Sequence, residues 1–218
     1  MPRLKQDFTK EDPWRIFRIM SEFVDGFEDL AKVKNAVDIF GSARTKENEK
    51  YYKLSEKTAY LLAKAGYSVI TGAGGGIMEA ANKGCLSAKG QSIGLNILIP
   101  IKQKPNKYIT KLIDFRYFFC RKVMFAKYSK AFIVFPGGYG TLDEFFEALT
   151  LVQTRRIENF PIILVGADYW KGMLSWLRDT VLKSGRINKK EFKLFRIIDK
   201  PEKIVKFIDN FYSKRRKK

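Results

Sequence analysis

Two segments concentrate glycine between a β-rich run and a helix pattern. Gly72-Ala73-Gly74-Gly75-Gly76 follows residues 67–71, and Pro136-Gly137-Gly138-Tyr139-Gly140-Thr141 follows residues 131–135. Glycine lets backbone approach an anion closely, and the N–H groups of the next helix's first turn point the positive end of its dipole at that anion. Both segments are therefore candidate phosphate cradles: Gly74, Gly75 and Gly76 in the first, and Gly137, Gly138, Tyr139, Gly140 and Thr141 in the second. A tight strand-to-helix turn usually needs one glycine or a pair. Four in five residues exceeds that need.

A carboxylate follows each loop, Glu79 after the first and Glu144 after the second, with Asp143 beside it. Thr141-x-x-Glu144 is also the spacing of a capping box, a purely structural arrangement. Against that, an acidic side chain in the first turn of a helix that faces phosphate suffers repulsion. Its presence hints at a second role. Two carboxylates flanking one crevice suit cleavage of an N-glycosidic bond, whose oxocarbenium-like state a carboxylate can stabilise while it activates or orients water. That chemistry requires no metal and no cofactor. Arg121 and Lys122 open the helix pattern before residues 131–135 and could hold phosphate or assist a leaving base. In a chain with 42 Lys and Arg residues, such a pair alone carries little weight.

Other chemistries are excluded by what the chain lacks. Histidine is absent, which removes Ser-His-Asp and Cys-His nucleophile systems, His-ligated zinc and imidazole acid–base work. Cys85 and Cys120 form no C-x-x-C pair, so small buried hydrophobes is the expected role for both. The first loop fails the dinucleotide fingerprint, because Ile77 stands where a third Gly or Ala should close against the strand. The second lacks the Lys and hydroxyl of a G-x-x-x-x-G-K-[ST] loop. One monophosphate fits this pair of cradles better than a triphosphate.

The elements that must position these residues alternate along the chain. Near-continuous apolar runs at 36–40, 67–71, 92–98, 131–135 and 161–165 read as strands buried on both faces. Helix patterns lie between and after them at 51–65, 77–88, 121–129, 142–153 and 170–183. This order predicts an α/β fold: a doubly wound parallel sheet of at least five strands, helices on both faces, and a ligand crevice at the carboxyl ends of the strands. A helix around 13–33 and another around 202–212 pack outside the core at 36–183, and a basic tail at 214–218 frays. With 45% hydrophobic residues and no low-complexity linker, residues 1–218 read as one domain. No apolar run is long enough to span a bilayer and the start lacks a signal-peptide pattern, which points to a cytoplasmic protein with no membrane partner. The charge of +19 would attract polyanions, yet removing the five charges of the tail leaves +14, and no groove-reading motif is present. Nucleic-acid binding is expected as a secondary property at most.

Pro136-Gly-Gly-Tyr-Gly-Thr-Leu-Asp-Glu144, preceded by Arg121-Lys122-x-Met124, resembles the signature of the LONELY GUY family, enzymes that release free cytokinin bases from their riboside monophosphates. Phe40-Gly41-Ser42-Ala43-Arg44, Thr71 through Asn82 and Gly94-Leu95-Asn96 agree with it. The resemblance implies a Rossmann-like sheet, a homodimer, and a phosphoribohydrolase acting on AMP or cytokinin riboside 5′-monophosphates, as in cytokinin biosynthesis or an AMP nucleosidase. It implies catalytic roles for Arg121 and Glu144, a phosphate loop at 137–141, and Gly41, Ser42 and Glu79 lining the nucleotide pocket. One departure is Ala73-Gly74-Gly75, where relatives often carry a stiffening proline. The older label of lysine decarboxylase would demand a pyridoxal phosphate Schiff-base lysine, which nothing here marks. A non-catalytic nucleotide or cofactor carrier, including one for molybdenum cofactor, is the alternative from the same fold.

Overall fold

The computed structural model describes residues 13–99 and 104–215. Its centre is a seven-stranded, all-parallel sheet: β1 (Ala36–Phe40), β2 (Ser68–Thr71), β3 (Ser92–Ile97), β4 (Lys111–Phe115), β5 (Ser129–Val134), β6 (Ile162–Leu164) and β7 (Arg196–Ile197). The order across the sheet is β4-β3-β2-β1-β5-β6-β7. The chain winds outward from β1 to β4 and then returns to pair β5 with β1 on its other side. That reversal leaves a switch point above β1 and β5, where a doubly wound sheet opens its ligand crevice.

Every residue of β1, β2, β3 and β6 is buried, which explains their largely apolar runs. Alternation sends successive side chains to two separate cores. Ala36 and Phe40 join Phe125, Phe145 and Trp170, beneath α1 (Arg15–Ala31), α4 (Phe118–Tyr128), α5 (Tyr139–Gln153) and α6 (Ala167–Trp176). Val37 and Ile39 join Leu62, Ile77 and Ile204, beneath α2 (Lys50–Lys64), α3 (Ile77–Ser87) and α7 (Pro201–Arg215). Both cysteines are free and buried, and burial pushes their thiols up to about 11.

Two strands escaped the sequence reading. β4 has a mixed burial pattern as the sheet's edge under α1, where Lys111 pairs with Asp29 at 2.9 Å, so its polar residues hid it. β7 is two exposed residues long, too short for periodicity to register. Helix α6 begins at 167, earlier than its pattern, and runs on as a π-helical segment over Leu177–Leu182. The tail expected to fray is helical through Arg215, and its last three residues lie outside the described ones.

Besides the buried hydroxyls and amide of β2 and β3, the sheet buries a carboxyl. Asp38, in the middle of β1, is fully buried on the α4–α5 side, and neither oxygen has a hydrogen-bond partner among the described residues. Burial pushes its carboxyl well above the usual range; the neighbouring Ser129 hydroxyl offsets part of this and Glu144 adds to it.

Candidate active site

Three strand-to-helix loops interlock above the switch point. Ser42 joins them: its N–H donates to the Pro136 carbonyl at 2.9 Å, and its carbonyl accepts the Ile77 N–H at 3.0 Å. The Ser42 hydroxyl accepts the Arg44 N–H at 3.1 Å. Gly41 must lack a side chain here, since a Cβ would stand 2.6 Å from Ile77 Cγ2. Gly76, with φ at +62°, presses its backbone against the Ser42 carbonyl and stands where a Cβ would be 2.7 Å from the Ala43 carbonyl carbon. The first glycine loop is thus clamped to the loop after β1.

A second clamp comes from Asn106, which sequence reasoning missed. Its backbone N–H donates to the Ala73 carbonyl at 2.9 Å, and its side-chain amide donates to the Ala73 and Gly74 carbonyls and to Asn82 Oδ1. Asn82, buried in α3, also accepts the Thr71 hydroxyl at 2.7 Å. These bonds hold Ala73 at φ +66°, where a residue other than glycine is strained.

The second glycine loop behaves differently from the capping-box reading. Helix α5 starts at Tyr139 with Gly138 as its N-cap and no side-chain cap bond, three residues before the expected start. Thr141 is then inside the first turn, and Glu144 lies one turn deeper, directed inward and only 5% exposed. At the start of α5 the Thr141 and Leu142 N–H groups donate to the Gly138 carbonyl, both at 3.0 Å, and the N–H groups ahead of them, at 139 and 140, stand at the positive end of the helix dipole, as the mouth of an anion site would require. Tyr169, also unforeseen, donates its hydroxyl to the Gly137 carbonyl at 2.8 Å and braces this loop from α6.

Between the loops lies a crevice of about 1000 Å³. Gly41, Ser42, Arg121, Gly137, Gly138, Tyr139, Gly140, Thr141 and Glu144 line it. Gly74, Gly75, Gly76 and the half-buried Glu79 are not among its lining residues; Gly75 backs onto the Ala43 carbonyl and Gly76 onto Ser42 and Ala43. Lys122 lies on the outer flank, its Nζ 2.8 Å from Asp143 Oδ2 and 2.8 Å from Glu147 Oε2. An apolar wall of Phe40, Phe118, Phe125, Ile97, Ile99 and Met78 was not legible as such, because its members come from four elements and a loop.

Four charged residues line the crevice: Arg44 and Glu49 are exposed at it, whereas Arg121 and Glu144 are held in apolar surroundings. The Arg121 guanidinium lies over the rings of Phe118 (5.1 Å) and Phe125 (5.6 Å), and its buried Nε has no hydrogen-bond partner among the described residues. Burial draws its pKa down, while Glu144 and Asp143 hold it up. Glu144 is pushed up to about 7, chiefly by burial; Lys122 and Arg121 pull it down, and Glu147 and Asp143 push it up. A carboxyl poised there can take and return a proton at neutral pH. Among the described residues, no group of three or more His, Cys, Asp or Glu is placed to hold a metal ion, and no helix is long and apolar enough to cross a membrane.

A parallel doubly wound sheet with a glycine-led helix terminus at its switch point defines the Rossmann-like class. Within it, the chain belongs to the LONELY GUY family: the family model described as "Possible lysine decarboxylase" matches residues 78–208. The chain is 27% identical over 152 residues to the cytokinin riboside 5′-monophosphate phosphoribohydrolase of Rhodococcoides fascians, covering 68% of this chain and 76% of that one. It is 42% identical over 69 residues to an Arabidopsis thaliana protein of the same name, covering 31% of each. Among solved structures, it is similar to a molybdenum cofactor binding protein from Rippkaea orientalis, with TM-score 0.62 and 21% identity over 83% of this chain and 99% of that one. A molybdenum cofactor carrier protein from Chlamydomonas reinhardtii gives TM-score 0.60 and 19% identity, again over 83% and 99%. At these identities the structural likeness concerns the fold alone.

Proposed function

We propose that this protein hydrolyses the N-glycosidic bond of nucleoside 5′-monophosphates, AMP or cytokinin riboside 5′-monophosphates, to free base and ribose 5-phosphate. The observation that carries this reading is Glu144: a buried carboxyl titrating near 7, beside Arg121, in a crevice headed by the α5 N-terminus. A pure carrier has no use for such a group. The substrate phosphate rests on the N–H groups of the 137–141 loop, and the base lies along the apolar wall. Ionised Glu144 takes a proton from water as its oxygen bonds to C1′. The C1′–N bond breaks, its electron pair leaves with the base, and the proton on Glu144 is passed to that base. Arg121 holds phosphate or the departing base. The names of two relatives match this activity, and the reaction calls for no cofactor or metal.

The test is to incubate the protein with AMP, N6-isopentenyl-AMP, GMP and CMP and follow free base and ribose 5-phosphate by chromatography. Release should rise about tenfold per pH unit below 7 and level off above it, as Glu144 ionises. Binding without release at any pH would favour the carrier reading, which the molybdenum cofactor neighbours share by fold. Tyr169→Phe removes the brace on Gly137; we expect KM for AMP to rise about fivefold, equivalent to about 1 kcal/mol, with kcat within twofold.

The working unit is a homodimer in this reading. Helix α1 exposes Phe17, Met20, Val24 and Phe27 at helical spacing, and α4 exposes Phe118, Phe119 and Val123. A contiguous apolar face of this kind calls for a cover, and light scattering of the purified protein reports whether a second copy supplies it.

A further inference from the structure

Lys122 adjoins Arg121 in sequence but performs a different task. Its ammonium is gripped by two carboxylates, Asp143 and Glu147, both on α5 and four residues apart, and its side chain is only 18% exposed. Glu144 sits between them in sequence and turns the other way, into the crevice. Three carboxylates within one helical turn repel one another. The charged groups around Glu144 are Arg121 and Lys122 from α4, Asp143 and Glu147 on α5, and Asp38 from β1. Two are cations and three are acids. Lys122 is the cation bonded to two of those acids, and these ion pairs connect α4 to α5.

We propose that Lys122 is a positioning residue for Glu144, tying α4 to α5 through Asp143 and Glu147, and that it makes no contact with substrate. Without it, Asp143 and Glu147 would stand unneutralised beside Glu144 and the carboxylate would be harder to form. The proposal rests on Glu144 being the catalytic carboxylate, so its test includes a readout that needs no turnover.

Lys122→Met and Lys122→Arg are compared with the wild type for AMP hydrolysis from pH 5.5 to 9, alongside a carbon-13 NMR titration of the Glu144 carboxyl, assigned with Glu144→Gln. In Lys122→Met the rising limb of kcat should move up by about one pH unit. Activity at pH 7 then falls about fivefold and recovers by pH 9, KM stays within twofold, and the NMR midpoint moves with the limb. Lys122→Arg should restore all three. Glu147→Gln, which keeps the lysine, should move limb and midpoint the other way, and it serves if Lys122→Met does not fold. A tenfold rise in KM with an unmoved limb would make Lys122 a substrate contact and overturn the proposal. So would an unmoved NMR midpoint in both Lys122→Met and Glu147→Gln. If the wild type releases no base, the hydrolase reading fails, while the NMR midpoints still decide the role of Lys122.

Discussion

Glu144→Gln is expected to lower base release from AMP by about 10³-fold while AMP still binds with little change. Glutamine keeps the shape and the burial, so the crevice, the 137–141 loop and the apolar wall remain. What it loses is the ability to take a proton from water and to carry negative charge beside the developing oxocarbenium ion. Chromatography of products, paired with calorimetric titration of AMP, separates the two effects. Unimpaired turnover would remove Glu144 from the mechanism. The same substitution should also stabilise the protein at alkaline pH. The Glu144 carboxyl titrates near 7 in the fold against 4.5 ordinarily, so the native state binds this proton more tightly than the unfolded chain does. Stability is therefore lost as pH rises from 4.5 through 7, by on the order of 3 kcal/mol once fully ionised. Glutamine does not ionise and escapes that loss. Thermal unfolding at pH 8 should show the variant melting above the wild type, and near pH 4.5 the two should coincide. A catalytic group kept at the expense of stability would produce this pair of results.

Gly76→Ala is expected to damage fold and binding together. At φ +62° and ψ −125° the position lies in a region that L side chains rarely adopt, a strain of about 1–3 kcal/mol. The new Cβ would also meet the Ser42 carbonyl, with the Ala43 carbonyl carbon at 2.7 Å, and backbone cannot swing aside as a side chain can. Relief requires the loop after β1 to part from the loop after β2, which breaks the bond from Ile77 N–H to Ser42 and disturbs the wall of the crevice. Denaturant unfolding should show a loss of about 3 kcal/mol or more, and AMP affinity should fall at least tenfold in whatever fraction stays folded. For the stability measurement Gly138→Ala is the matched control, since nothing lies within 4 Å of its Cβ position. Equal stability of Gly76→Ala and wild type would show that the two loops are not locked as described.

The alternation of buried strands and amphipathic helices was plain from 36 to 183, because a strand covered on both faces must be apolar throughout. The parallel sheet, its two helical layers and the crevice at its carboxyl edge follow from that pattern. The glycine loops and Glu144 were legible for a chemical reason: phosphate needs bare backbone, and few structural needs explain so many glycines there. The edge strands β4 and β7 were not legible, one because its outer residues are polar and the other because it is two residues long. The depth of Glu144 was also misjudged. Thr141 and Glu144 have capping-box spacing, and only the contacts of the folded chain show the helix starting at Tyr139.

By itself, then, the sequence determined the class of fold, the two loops and the set of charged residues available for chemistry, because each depends on composition and local spacing. The tertiary structure alone decided which of them face one another. It put Glu144 in an apolar pocket beside Arg121, turned Lys122 away onto Asp143 and Glu147, left Gly74, Gly75, Gly76 and Glu79 out of the crevice lining, and brought Asn106 and Tyr169 in as clamps. These are contacts between residues tens of positions apart, fixed by how the sheet winds and how the loops at its edge meet.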